Sequence, residues 1–291
     1  MKLRTLAALV ACLPTVVLIT PTTQAEASSC AATPRVFSYA PTSSNLPGGA
    51  TMRIWNHGTK VRVVAVTIPK GTLRPRHVAA GSLSTTAPPS VQVAHHPAAV
   101  VAINEGIFNP SNGTPKLSQA IDGTLYKSGS TTSGLAVTTK GELAIQTNTL
   151  TGSVAMPGRD LAVRALNEQY VPAGAVGVYT PMWGGNRRPP ASVGITVTNG
   201  VVTHRDTPAN ATRDVPSGSI LLVGNGGTGT HLATLHAGAH VSVTYHATVR
   251  YFRRADGTLP STSPMFSMAG VGSYFVYGGK VRAPTLSLIH I

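Results

Sequence analysis

The sequence predicts an α+β fold that is predominantly β, built of mixed, twisted sheets with a few short helices. Three observations predict it. Thirty glycines and 22 prolines among 291 residues imply many turns and short elements. Val and Thr recur throughout, while long helical runs of Ala, Leu, Glu and Lys are absent. Hydrophobic residues make up 42% of the chain and charged residues only 11%, ample apolar material for a core. The length is that of one large domain or two small ones.

The N-terminus reads as an export signal over residues 1–27. Lys2 and Arg4 form a basic start, an apolar stretch runs over 6–19 with a break at Pro14, and Ala25-Glu26-Ala27 places small residues at both cleavage-reading positions. The apolar run is too short and too interrupted for a membrane span, so no stable membrane insertion is expected. "LVAC", ending at Cys12, resembles a lipoprotein box, but the apolar segment before it is very short and 16–19 would then have no purpose. The expected product is secreted, with cleavage after Ala27. It keeps a single thiol, Cys30, which cannot close an internal disulfide.

Residues 28–45 are polar and rich in Pro, Ser and Thr, and are expected to be flexible. The domain is expected to occupy 46–285. Strand-like runs follow at 51–55, 61–68, 100–103, 134–139, 142–147, 176–180, 192–198, 219–223, 240–251 and 273–277. Thr139-Lys140-Gly141 and Thr198-Asn199-Gly200 suit tight hairpins. Short helices are expected at 90–96 and 230–235. Gly224-x-Gly226-x-x-Gly229 fits the dinucleotide fingerprint literally, yet the acid required about twenty residues on is replaced by Thr248, Val249 and Arg250. With no βαβ rhythm around it, a nucleotide site is not expected.

The chain carries a formal net charge of +14. Cleavage removes Lys2, Arg4 and Glu26, leaving 21 basic and 8 acidic side chains, a net +13. Such a field favours anionic partners, here a phosphorylated glycan or cell-wall polymer. The basic residues are scattered, with no basic helix and no zinc-finger spacing, which argues against nucleic acid.

The remaining acids are few. Glu142, Asp206, Asp214 and Asp256 sit in turn-like or Arg-flanked contexts and read as solvated surface charges. Glu105 and Asp122 differ, because in "AAVVAINEGIFNPSNGTPKLSQAIDGTL" they flank the loop that follows the apolar run 100–103, read here as a buried strand. Asn104 ends that run. Its amide either starts a local turn or projects into a pocket, where an unsatisfied amide would cost about 1–3 kcal/mol. The histidines show no metal spacing: His95 and His96 are adjacent, and His231 and His236 are five apart. No Gly-x-Ser-x-Gly elbow anchors a serine triad. No cofactor is expected, and no metal beyond a structural Ca²⁺ that the sequence leaves open.

Three segments in order carry a resemblance. "VVAINEGIFNPSNGTPKLSQAIDGTLY" resembles a strand–Asn–x–x–aromatic segment followed by a Gly/Pro loop and an Asp-Gly turn. "LAVRALNEQYVPAGAVGVYTPMWG" resembles a later strand with Leu-Asn and a Tyr-Thr-Pro…Trp-Gly piece. "VPSGSILLVGNGGTGTHLATLHAGAHVSVTY" is similar to a Pro-x-Gly strand, glycine loop, short helix and Gly-x-x-Val-x-Val strand. Together they resemble the phosphodiester glycosidase domain family, that of the lysosomal uncovering enzyme and of secreted bacterial homologues, over roughly residues 46–282. The resemblance implies hydrolysis of sugar-1-phosphodiester bonds. It implies catalytic roles for Asn104 and Asp122, and substrate contacts from Glu105, Phe108, Asn167 and Tyr179.

Two departures stand out. Glu105-Gly106-Ile107-Phe108 stands where the family commonly carries a small residue and then Asp, Gly or a second aromatic after its Asn. After "SMAGVGSYFVYGGKVR" the family's Arg-Thr and Asp-Gly-Gly-Gly-Ser-like segments do not follow. The final residues 286–291, "LSLIHI", read as translated sequencing adapter. The expectation is a domain incomplete at its C-terminus and inactive as this fragment. The alternative is a non-catalytic, basic, β-rich module that binds cell wall or glycan.

Overall fold

In the computed structural model the structure describes residues 40–57, 61–103, 108–129, 134–141, 143–184, 193–206, 214–251, 265–270, 276–277 and 280–281. Residues 1–27, expected to be an export signal, and Cys30, Asn104, Glu105, Glu142, Asp256 and the segment 286–291 lie outside the described residues. The fold is predominantly β with few short helices, as expected. The chain divides into two compact units, 1–69 and 70–291.

The first unit holds a three-stranded antiparallel sheet of β1 (Thr42–Asn45), β2 (Thr51–His57) and β3 (Val61–Thr67). β1 corrects the flexible assignment for 42–45. Leu46 N–H donates to the Ala50 carbonyl at 2.8 Å, closing a turn that returns the chain so that Thr42 to Asn45 pair with Ile54 to Thr51. A polar segment becomes a strand here because its partner supplies the ladder.

The second unit opens with a short helix α1 (Pro89–Gln92), extended by a 3₁₀ turn Val93–His95, close to the expected 90–96. Its strands are β4 (Gln119–Ile121), β5 (Thr124–Lys127), β6 (Gly134–Thr138), β7 (Leu143–Met156), β8 (Arg159–Leu166), β9 (Val176–Tyr179), β10 (Val193–Thr198), β11 (Val201–Asp206), β12 (Ser219–Gly224), β13 (Ser242–Tyr251) and β14 (Met265–Gly270). They form one sheet in the order β11-β10-β12-β9-β8-β7-β6-β14-β4-β5, with β13 added to β7. A helix α2 (Gly227–Leu232) follows β12, starting three residues before the expected 230. β15 (Val276–Tyr277) and β16 (Lys280–Val281) form a separate pair.

The expected strand at 100–103 is absent: those residues have no strand pairing, and Ile103 is 80% exposed. An apolar run becomes a strand only where a neighbour satisfies its backbone, and none among the described residues does so here. Several strands lie outside the expected runs, among them β4, β5, β8, β11 and β14. β7, expected only over 142–147, runs on to Met156 because β13 pairs with it from Gln146 to Ala155, and β8 pairs with β7 on one side and, in parallel, with β9 on the other.

The core lies in the β7–β12 half, where the sheet is covered on both faces. Val163, Val176, Val178, Ile195, Leu222 and Leu232 pack on one face. Ala165, Val171, Tyr179, Trp183, Leu221 and Val223 pack on the other. On β9 and β12 successive residues thus go to opposite faces and both faces are apolar, which explains their near-continuous valines and leucines. Val163 and Ala165, two apart on β8, reach opposite faces across an irregularity in the β8–β9 register. Tyr179 and Trp183 meet edge to face, with ring centroids 5.2 Å apart. The β4–β6 half is different. It buries Gln119, Lys127, Ser128 and Thr138, and the adjoining start of β7 buries Gln146 and Asn148.

Candidate functional site

β4 and β5 form a tight hairpin in which Ile121 pairs with Thr124 across Asp122-Gly123. Both turn residues have positive φ, +49° at Asp122 and +81° at Gly123, the backbone twist a two-residue hairpin loop requires. Asp122 is therefore held at the hairpin tip. There Arg76 Nη2 donates to Asp122 Oδ2 at 2.6 Å, with both side chains nearly half exposed. The pair stands on a cleft of about 270 Å³ lined also by His77, His96, Tyr126 and Met182. Two histidines, a guanidinium, a phenol and one carboxylate make a surface suited to an oxyanion or a sugar hydroxyl.

Behind this wall lies a buried polar assembly. On a strand, successive side chains face opposite ways, so Tyr126 turns to the cleft and Lys127 into the protein. The Lys127 ammonium, fully buried, pairs with the Glu168 carboxylate. Ser128 Oγ donates to Glu168 Oε1 at 3.0 Å and accepts from Leu166 N–H at 3.0 Å. Burial pulls the Lys127 pKa below its ordinary value, against the opposing pull of Glu168. Burial likewise pushes Glu168 up, against Lys127, Ser128 and the Gln169 backbone. For both partners the loss of water outweighs the attraction, so the pair costs free energy to hold charged.

Of the residues expected at the site, Asp122 lines the cleft. Asn104 and Glu105 lie outside the described residues. Phe108 is 50% exposed and bridges to Pro115 across a loop closed by the Asn109 N–H to Thr114 carbonyl bond of 2.8 Å. Asn167 and Tyr179 are fully buried and bonded to the chain itself rather than facing the cleft. Asn167, with φ +48°, donates through Nδ2 to the Tyr126 carbonyl at 2.6 Å and to Thr180 Oγ1 at 2.9 Å, and accepts from Thr180 N–H at 2.8 Å. Tyr179 Oη donates to the Glu168 carbonyl at 2.6 Å. These two residues fix 166–168 between β5 and β9. Their role here is to shape the wall, because a buried amide or phenol must spend its hydrogen bonds where it lies.

No family model and no curated protein matches the chain. The fold is shared with a solved structure. A hypothetical protein from Synechocystis superposes with a TM-score of 0.53 at 23% identity, over 72% of this chain and 38% of that one. A proposed exported protein from Burkholderia pseudomallei gives a TM-score of 0.38 at 19% identity, over 58% of this chain and 40% of that one. The chain thus spans well under half the length of either protein.

Sequence reasoning missed Arg76, His77, His96 and Tyr126 at the cleft and Lys127, Ser128 and Glu168 behind it. The available signals were faint: Tyr126-Lys127 follows the Asp-Gly turn closely, and Glu168 adjoins Asn167. Asp206, expected to be solvated, instead pairs with His204 at 2.7 Å. The glycines of 224–229 serve packing. A Cβ at Gly224 would lie 2.5 Å from the Gly229 nitrogen, so the missing side chain lets α2 sit against β12. Among the described residues no cluster of His, Cys, Asp or Glu could hold a metal ion, and no helix is long and apolar enough to cross a membrane.

Proposed function

We propose that the whole protein is a secreted hydrolase of sugar-1-phosphodiesters, acting on phosphorylated glycans or wall polymers. One observation carries the reading: the Asp122 carboxylate stands at the tip of a rigid turn, on the rim of an open cleft, beside a guanidinium. The three segments that resemble phosphodiester glycosidases, and the export signal, support it. In the reaction water adds to C1, the C1–O bond breaks, and the phosphomonoester leaves with the electron pair. A phosphate is already a good leaving group, so a cation that holds it matters more than an acid that protonates it. Arg76 supplies that cation. Asp122 serves as the acid/base or positioning group for water and sugar, and Asn104 is assigned sugar or phosphate positioning on the resemblance alone.

The test is release of phosphomonoester and reducing sugar from an aryl sugar-1-phosphodiester by the secreted protein. Asp122→Asn is expected to lower kcat by about 10²-fold or more. Wild-type protein that turns over no sugar phosphodiester would overturn the reading. A second reading, a glycan-binding module, is favoured by one fact: Asp122 is the only acid among the described residues that line the cleft, whereas glycoside cleavage normally uses two carboxylates. Retention on an anionic wall polymer without turnover would select it.

A further inference from the structure

We propose that the Arg76–Asp122 pair is an exchangeable latch: the cleft binds a phosphate-type oxyanion, and the anion replaces Asp122 as the partner of Arg76. This goes further than the proposed hydrolysis, on which only its catalytic consequence rests. The contact that holds the latch is single, Arg76 Nη2 to Asp122 Oδ2, and its two side chains are 46% and 47% exposed. A guanidinium carries five donors in a planar fork and binds two oxygens of a carboxylate or phosphate side by side more strongly than one. Exposed ion pairs contribute little, so an anion that takes the fork loses little by breaking this one.

The surroundings favour the exchange. His77, His96 and Tyr126 bring further donors to the same cleft, against one carboxylate among the described lining residues. The volume of about 270 Å³ suits a phosphate with a single sugar ring rather than a long polymer segment. The chain's net charge of +14 raises the local concentration of anions. Asp122 cannot share Arg76 with a bound anion at no cost, because the two negative groups repel. Anion binding therefore releases the Asp122 carboxylate toward the rest of the cleft. On the proposed hydrolysis, the substrate's own phosphate would thereby free the group that acts on water, which ties activation to correct binding.

Titration of the full chain with inorganic phosphate, sulfate and dimethyl phosphate, read by calorimetry and by ³¹P shifts, tests the latch. The side chain of Asp122→Asn is nearly the same size and tolerates positive φ. Its expected effect is tighter phosphate binding, by about two- to fivefold, the range an exposed pair can contribute. Arg76→Gln is expected to weaken binding about tenfold or more, and Arg76→Lys to fall between because it keeps the charge and loses the fork. Unchanged or weaker phosphate binding by Asp122→Asn overturns the exchange. Unchanged binding by Arg76→Gln, or no saturable binding by wild type, overturns the site. Circular dichroism of each variant excludes misfolding as the cause. The hydrolysis assay is separate: turnover without phosphate binding sinks the latch and spares the enzyme, and the reverse result does the opposite.

Discussion

The Lys127 ammonium and the Glu168 carboxylate meet inside the larger unit, with the lysine side chain fully buried and the glutamate 14% exposed. The pair ties β5 to the end of β8, 41 residues further along the chain. Through Tyr126 on one side and Asn167 on the other, it backs the wall of the cleft. Since burial outweighs attraction for both partners, the pair is a specific but costly way to join these strands.

Breaking the pair is expected to destabilise more than replacing it. Glu168→Gln leaves a buried ammonium without its carboxylate and should cost about 3–5 kcal/mol. The double variant Lys127→Met with Glu168→Leu removes both charges and should recover most of that loss. Urea unfolding of the three proteins measures this. A double variant no more stable than Glu168→Gln would show that the charges themselves hold the strands together.

The same pair sets a pH dependence whose sign follows from the directions of the two shifts. Glu168 is raised from 4.5, so its contribution to stability is full below that value and is lost as pH rises through the folded value. Lys127 is lowered from 10.5, so its contribution is full above that value and is lost as pH falls through the folded value. Wild type should therefore lose stability as pH climbs from acid and regain it as pH approaches the ordinary lysine range. The double variant should lack both slopes. Melting curves across this range decide the matter, and parallel profiles for the two proteins would contradict it.

Gly224→Ala is expected to destabilise by about 1–3 kcal/mol, because its Cβ would meet backbone at 2.5 Å. Gly227→Ala, with nothing within 4 Å and a helical position, is expected to be neutral or to stabilise by up to about 1 kcal/mol. Equal effects of the two would show that α2 does not rest on β12 through Gly224.

Asn167→Ala and Asn167→Gly both remove the amide bonds to Tyr126 and Thr180, and both should destabilise. Alanine should be worse by about 1 kcal/mol, since position 167 sits at φ +48° and glycine reaches that region freely. Thermal unfolding of the pair isolates the backbone contribution. An alanine variant as stable as the glycine variant would remove it.

Local chemistry in the sequence determined the β-rich class and several turns. Asn199-Gly200 takes φ +50° and +77° between β10 and β11, as its residue types require. Asp122-Gly123 does the same; the sequence marked it as a turn, while the two strands that make it a hairpin emerged only in the structure. Tertiary structure alone decided what those turns face. The valines and isoleucine of 100–103 look like a strand yet pair with nothing described, while the polar 42–45 pairs fully with β2. Arg76 reaches Asp122 across 46 residues and Lys127 reaches Glu168 across 41, separations at which no local pattern operates. Turn geometry follows from sterics within a residue or two of the turn. Strand pairing, burial and the proton affinity of a buried side chain depend instead on neighbours that only the folded chain brings near.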